Sequence, residues 1–291
     1  YHDLYQESAG RMSKDGSMSI LQGRCVGGTT VINWTSSFHT PEETLGYWAE
    51  EFKLKGSSKE EMTPWFERME KRLNISDWAV PPNENNAVLS RGAEKLGLDW
   101  KVIPRNVAGC WNLGYCGTGC PTNAKQSMLV TTIPGALNKD SALVYSARAE
   151  RLIIEGKKVL GVEVTALNSD YKPTGKTIIV KAPHVVMSCG GINGPALLLR
   201  SKAPDPKKRV GKRTFLHPVS FSFAEFDHLI DPYYGAPQSI YSDHYQWKNV
   251  TGPAGFKMEA APLHPGLTSV FKQSHGSEIS TSLEFRRVLF R

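Results

Sequence analysis

Three stretches of this chain carry residue types that could do chemistry. The first is Gly27-Gly28-Thr29-Thr30-Val31-Ile32-Asn33. Adjacent glycines allow positive φ and let a backbone approach a ligand closely. Backbone N–H groups in such a turn can face phosphate or the polar edge of a ring system. The threonine hydroxyls and the Asn33 amide add donors and acceptors. The second is "HVVMSCGGINGPALLLRS", residues 184–201. An apolar strand, then Gly190-Gly191, then a helix is the layout of a nucleotide-binding crossover. A helix N-terminus favours negative charge there. Each stretch alone also reads as an ordinary structural turn. The third holds Cys110, Cys116 and Cys120, spaced C-x5-C-x3-C. Zinc and iron–sulfur sites want four ligands and often C-x2-C pairs, so no metal is assigned.

The elements that must position these residues follow from pattern. Residues 41–73 read as helical, with Pro41 and Glu42-Glu43 at one start. Thr63-Pro64 reads as a second start, with Thr as cap and Pro at the first helical position. Trp65, Phe66, Met69 and Leu73 then share a face. Residues 86–96 read as a short helix stopped by Gly97, 104–123 as loop, and 125–138 as helix. From Leu143 the chain alternates and carries β-branched residues, which predicts strands with a turn at Glu155-Gly156. "KTIIVKAPHVVMSCGG" predicts two more strands, and "GPALLLRSK" a helix. Between 221 and 247 lie Phe221, Phe223, Phe226, Tyr233, Tyr234, Tyr241, Tyr245 and Trp247. They suit either the wall of an apolar pocket or ordinary core on a sheet.

Composition narrows the classes. The chain has 291 residues and a formal charge of +7, with 40% apolar and 22% charged residues. No stretch approaches the ~20 apolar residues of a membrane helix. Its basic residues form no dense stripe interleaved with aromatics, which argues against a nucleic-acid partner. Five cysteines, an odd number, fit a reducing compartment better than a disulfide scaffold. The expectation is a cytoplasmic location, with association at a membrane surface left open. The chain starts at Tyr1 rather than Met, which reads as truncation.

Taken in order, the first two stretches resemble the two signatures of the glucose–methanol–choline (GMC) oxidoreductases. Gly27 to Asn33 resembles the family's Gly-Gly-Ser/Thr-Ser/Thr-x-x-Asn run. Gly190-Gly191-Ile192-Asn193-Gly194-Pro195-Ala196-Leu197-Leu198 resembles Gly-Ala-Ile-Asn-Ser-Pro-x-Leu-Leu. "ARAERLIIEGKKVLGVEV" and "VGKRTFLHP" resemble the connecting segments, so the likeness covers about residues 1–276. It implies an α/β fold: an FAD-binding doubly wound, Rossmann-like domain interleaved with an α+β substrate-binding domain. The expected parts of the FAD domain are residues 1–36 and 124–216. Residues 37–123 and 217–276 would form the substrate domain and lid-like loops, and 277–291 are unassigned, read as a non-native tail.

The same resemblance implies FAD-dependent oxidation of an alcohol to a carbonyl by hydride transfer, with a small-molecule alcohol as partner. It implies cofactor-binding roles for Gly27, Gly28, Thr29, Thr30, Asn33, Ala149, Gly190 and Gly191. Some relatives bind flavin covalently through a His just before the signature Asn. Ile32 stands there, which implies noncovalent FAD. A Cys-Gly-x-Gly-Cys loop like Cys116–Cys120 occurs in long-chain alcohol oxidase-like members, so the substrate expectation is apolar or long-chain. The family's GxGxxG and its C-terminal catalytic His have no match here. The eight histidines (His2, His39, His184, His217, His228, His244, His264 and His275) read as structural or surface groups, and no catalytic residue is assigned. The alternatives are a catalytically inactive fragment with weak nucleotide binding, or a sterol- or sugar-oxidising flavoprotein of the same family. The electron acceptor and oligomeric state are left open.

Overall fold

The computed structural model describes residues 1–248, 254–262 and 287–290. The chain divides into two compact units, residues 1–140 with 219–291, and residues 141–218.

The larger unit opens with loops and short 3-10 turns. Its regular elements are α1 (Glu42–Phe52), α2 (Lys59–Leu73), β1 (Ile75–Asp77), α3 (Glu84–Leu96), β2 (Lys101–Val102), β3 (Pro104–Asn106) and α4 (Thr132–Leu137). α1 starts where Pro41 and its acidic pair predict. α2 does not start at Thr63-Pro64. Its cap is Ser58, whose hydroxyl accepts the Glu61 N–H while the Glu61 carboxylate accepts the Ser58 N–H. This reciprocal capping box satisfies two terminal donors at once. Pro64 is carried inside the first turns, and the Thr63 hydroxyl donates back to Lys59 O instead of capping. The predicted apolar face is only partly covered: Phe66 and Leu73 are half-buried, whereas Trp65, 58% accessible, and Met69 are exposed. Ser58→Ala is expected to cost about 1 kcal/mol, read as a fall in the urea midpoint. An unchanged midpoint would mean that the box does not hold the helix.

α3 ends at Gly97, φ +66°, as the sequence predicts. Its first turn is tied into the core by two buried amides. Asn86 Oδ1 accepts the N–H of Ser239 at 2.8 Å, and Asn85 Nδ2 donates to Ala261 O at 3.0 Å. The predicted helix over 125–138 shortens to α4. Residues 106–108 bond the 124–126 backbone instead, with Val107 bridging Lys125 and Gln126 N donating to Asn106 O.

The smaller unit is built from β4 (Ala147–Glu155), β5 (Lys158–Leu167), β6 (Pro173–Lys181) and α5 (Gly190–Arg200). β4, β5 and β6 form one antiparallel sheet in that order. The predicted turn sits at Gly156, φ +57°. The strand predicted over 184–189 does not form. No strand among the described residues lies beside it to close a ladder, and Val186 is 87% exposed. Strands are defined by their neighbours as much as by β-branched residues.

The chain then returns to the larger unit with β7 (Ser222–Glu225), β8 (Ile240–Ser242), β9 (Met258–Glu259) and β10 (Arg287–Phe290). β8 is central in an antiparallel sheet between β2 and β9, and β7 pairs with β10. Apart from β10, residues 277–291 lie outside the described residues, as do His264 and His275. The architecture is mixed α/β. Among the described residues no helix is long and apolar enough to cross a membrane.

Candidate functional site

The glycine loop turns on two positive-φ residues, Gly27 at +94° and Gly28 at +59°. Their surroundings differ. A Cβ on Gly27 would lie 2.9 Å from the Leu129 backbone nitrogen and 2.8 Å from a Val31 methyl. A Cβ on Gly28 would meet nothing within 4 Å. Gly23 closes the other side, because a Cβ there would fall 2.6 Å from the Gly28 carbonyl carbon. Glycine is therefore required at 27 for packing, whereas at 28 the backbone faces open space.

The two threonines hold this shape. Thr29 Oγ1 accepts the Gly23 N–H at 3.1 Å. Thr30 Oγ1 donates to Gly27 O at 2.6 Å and accepts the Met128 N–H at 3.0 Å. Asn33 is exposed, and its Oδ1 accepts the Thr35 N–H at 3.3 Å. Ile32 is buried with Tyr5 and Val31, against Leu4, Ala9 and Cys25. Its position just before Asn33 serves the core and carries no nucleophile.

Beneath this loop lie two buried cations that the sequence does not single out. Lys125, 2% exposed, donates from Nζ to Val31 O at 2.7 Å, Asn33 O at 2.6 Å and Cys116 O at 2.6 Å. One ammonium thus ties the glycine loop to the cysteine loop. Burial pushes its pKa down to about 8, against the pull of nearby thiols. Arg105 has no exposed surface. Its Nε donates to Thr35 Oγ1 at 2.8 Å, its Nη2 to Cys116 Sγ at 3.3 Å, and its guanidinium lies 4.5 Å from the Trp78 ring centroid. No spacing rule marks "PRN" or "NAKQS" as core. The signal is tertiary.

The cysteine loop lines a small, half-open recess with Arg105, Cys110, Trp111, Cys116, Cys120 and Thr122 on its wall. None of the five cysteines forms a disulfide. Among the described residues no group of three or more His, Cys, Asp or Glu could hold a metal.

In the smaller unit, Gly190 (φ +78°) and Gly191 are exposed at the start of α5, where no side chain caps the helix. Ala149 lies in β4 opposite Val164, beside a register shift between Ala149 and Arg151. Its carbonyl accepts from Arg200 Nη2 at 3.3 Å, so the last turn of α5 is bonded to the strand that carries it. The eight residues therefore fall into two groups. Gly27, Gly28, Thr29, Thr30 and Asn33 are together in the larger unit, and Ala149, Gly190 and Gly191 in the smaller one.

The described aromatics of 221–247 divide as well. Tyr241 packs edge-on to Phe38, and Lys257 Nζ lies 3.6 Å from the Phe38 centroid, whereas Phe221, Tyr233 and Tyr234 are exposed. His39, His228 and His244 pair with the carboxylates of Glu70, Asp227 and Asp99.

Comparison with known proteins gives this geometry its context. The family model of GMC oxidoreductases matches residues 1–219. An Arabidopsis thaliana long-chain-alcohol oxidase (FAO4B) is 29% identical over 77% of this chain and 30% of its own length. An uncharacterized GMC-type oxidoreductase of Sinorhizobium fredii (y4nJ) is 32% identical over 74% of this chain and 41% of its own. The crystal structure of a pyridoxine 4-oxidase superposes with a TM-score of 0.60 at 15% identity, covering 93% of this chain and 56% of that one. The chain thus spans less than half the length of these two sequence relatives. Its fold is the α/β fold that the family match and this superposition share. The matched span contains both glycine signatures, and the chain belongs to the GMC oxidoreductase family.

Proposed function

We propose that this chain is part of an FAD-dependent oxidoreductase that converts the CH–OH group of an alcohol to a carbonyl. The observation that carries the reading is the glycine loop: Gly27 sealed against Leu129, and Gly28 open beside it. A ring or phosphate can approach the backbone at Gly28, where any side chain would fill the opening. The residues proposed to hold FAD are Gly27, Gly28, Thr29, Thr30, Asn33, Ala149, Gly190 and Gly191. Their roles differ. Thr29 and Thr30 act by fixing the loop, since their hydroxyls are engaged within it. Gly190 and Gly191 present the uncapped N–H groups of α5, which suit an anionic group. Ala149 offers backbone at the β4 irregularity. When bound, FAD supplies the acceptor for the hydride of the alcohol carbon.

The attachment is proposed to be noncovalent, because the position before Asn33 is the buried, unreactive Ile32. An apolar or long-chain alcohol is the proposed substrate. Support comes from the Cys116–Cys120 loop and from similarity to proteins named long-chain-alcohol oxidases. No residue of this chain is proposed as the base that takes the hydroxyl proton.

The test is an absorbance spectrum of the purified chain mixed with FAD and passed through gel filtration. A retained flavin spectrum that is lost in Gly28→Val supports the reading. A colourless chain, or binding indifferent to Gly28→Val, removes the assignment of FAD binding to these residues.

A further inference from the structure

We propose that Cys120 is a peroxide-reactive thiol, reached by small hydroperoxides through the recess that it lines with Cys110, Cys116 and Thr122. The proposal is independent of flavin binding.

Three features of the recess carry it. Its wall holds three thiols and, among the described residues that line it, no carboxylate. Two buried cations stand beside it: Arg105 on the wall, and Lys125, whose ammonium bonds Cys116 O. Positive charge near a sulfur favours the thiolate, the form that reacts, where burial does not outweigh it. The third feature is local. The Cys120 sulfur accepts the Lys125 backbone N–H at 3.5 Å and lies 3.5 Å from the Thr122 hydroxyl, while the side chain stays only half-buried. Burial pushes this thiol up, but the surrounding donors outweigh it and hold the pKa below the ordinary thiol value.

The other cysteines are placed differently. Cys116 Sγ is clasped by Arg105, and burial raises its pKa. Cys25 packs on the Tyr5–Val31–Ile32 cluster, and burial raises it as well. Cys110 Sγ accepts the Asn112 N–H at 3.4 Å. Cys189 belongs to the other unit.

The step balances as follows. The Cys120 thiolate, having given its proton to solvent, attacks one peroxide oxygen. The S–O bond forms and the O–O bond breaks. The departing oxygen takes a proton from solvent and leaves as water or an alcohol. Sulfur is oxidised by two electrons to a sulfenic acid, and the hydroperoxide is reduced by two.

The experiment treats the folded full chain with substoichiometric hydrogen peroxide and dimedone, and in parallel with limiting iodoacetamide. Each cysteine-containing peptide is then quantified by mass spectrometry. Cys120 is expected to carry the dimedone adduct and to alkylate several-fold faster than Cys116, because donors favour its thiolate while burial disfavours that of Cys116. Thr122→Val should slow Cys120 alone, and Cys120→Ser should abolish the dimedone signal. Equal or faster reaction at Cys110, Cys116 or Cys189 in the unmutated chain overturns the proposal. So does a dimedone signal that survives in Cys120→Ser. The wild-type comparison needs no variant to fold.

Discussion

Gly27→Ala is expected to lower the unfolding free energy by about 3 kcal/mol, and Gly28→Ala by only about 1 kcal/mol. The two residues are adjacent and both have positive φ, so composition ranks them alike. Their surroundings do not. An alanine at 27 keeps an L residue at φ +94° and puts its methyl 2.9 Å from the Leu129 nitrogen and 3.0 Å from Leu129 Cβ. Neither atom can swing aside without moving the backbone that follows Met128, whose N–H is held by Thr30. Left-handed strain costs roughly 1–2 kcal/mol per residue, and overpacking typically adds about 1–3 kcal/mol. At 28 only the strain remains, because the new methyl enters open space. Urea unfolding of both variants measures the difference. Equal losses would mean that the Leu129 contact does not constrain the loop. Flavin retention gives an independent readout with its own pattern. Gly28→Ala should weaken FAD binding more than its small stability loss explains, since its methyl occupies the proposed approach to the backbone. Gly27→Ala should weaken binding in proportion to the loss of the loop.

The contrast marks what sequence could and could not convey. That the run 27–33 contains a tight turn was legible, because two consecutive glycines have few other uses. That Thr29 and Thr30 point their hydroxyls into the loop was not, since the partners, Gly23 and Met128, are set by tertiary packing. The hairpin at Gly156 and the stop at Gly97 were legible for the same local reason: each needs a positive φ. The start of α2 was misplaced because Thr63-Pro64 satisfies the cap rule. Ser58 and Glu61 satisfy it more completely, with the cap Ser58 five residues upstream of Thr63. Residues 184–189 have strand composition without a partner strand among the described residues. Arg105 and Lys125 were invisible, because a charged residue in a polar loop reads as surface until its acceptors are known. The carbonyls bound by Lys125 lie 9 to 94 positions away.

Lys125→Met is therefore expected to be as costly as a core truncation, despite nearly conserving side-chain length. The substitution leaves the Val31, Asn33 and Cys116 carbonyls without the ammonium that bonds all three. A buried acceptor stripped of its partner costs about 1–3 kcal/mol. Against that, the variant no longer buries a charge, which offsets part of the loss. The net expectation is a loss of about 2–4 kcal/mol at pH 7, together with loss of FAD retention as the glycine loop separates from the cysteine loop. The pH dependence separates these two opposing contributions. With burial holding the folded pKa near 8, below the ordinary 10.5, both states carry the proton below pH 8 and neither does above 10.5. Between them the unfolded chain binds more protons, so the Lys125 contribution makes stability rise with pH across that window. In Lys125→Met this rise should vanish, and the two unfolding free energies should diverge as pH climbs from 8 to 10. Parallel pH profiles would show that Lys125 keeps an ordinary pKa, with its three carbonyl bonds compensating fully for burial. A variant as stable as the parent at pH 7 would show that the ammonium does not hold the two loops together.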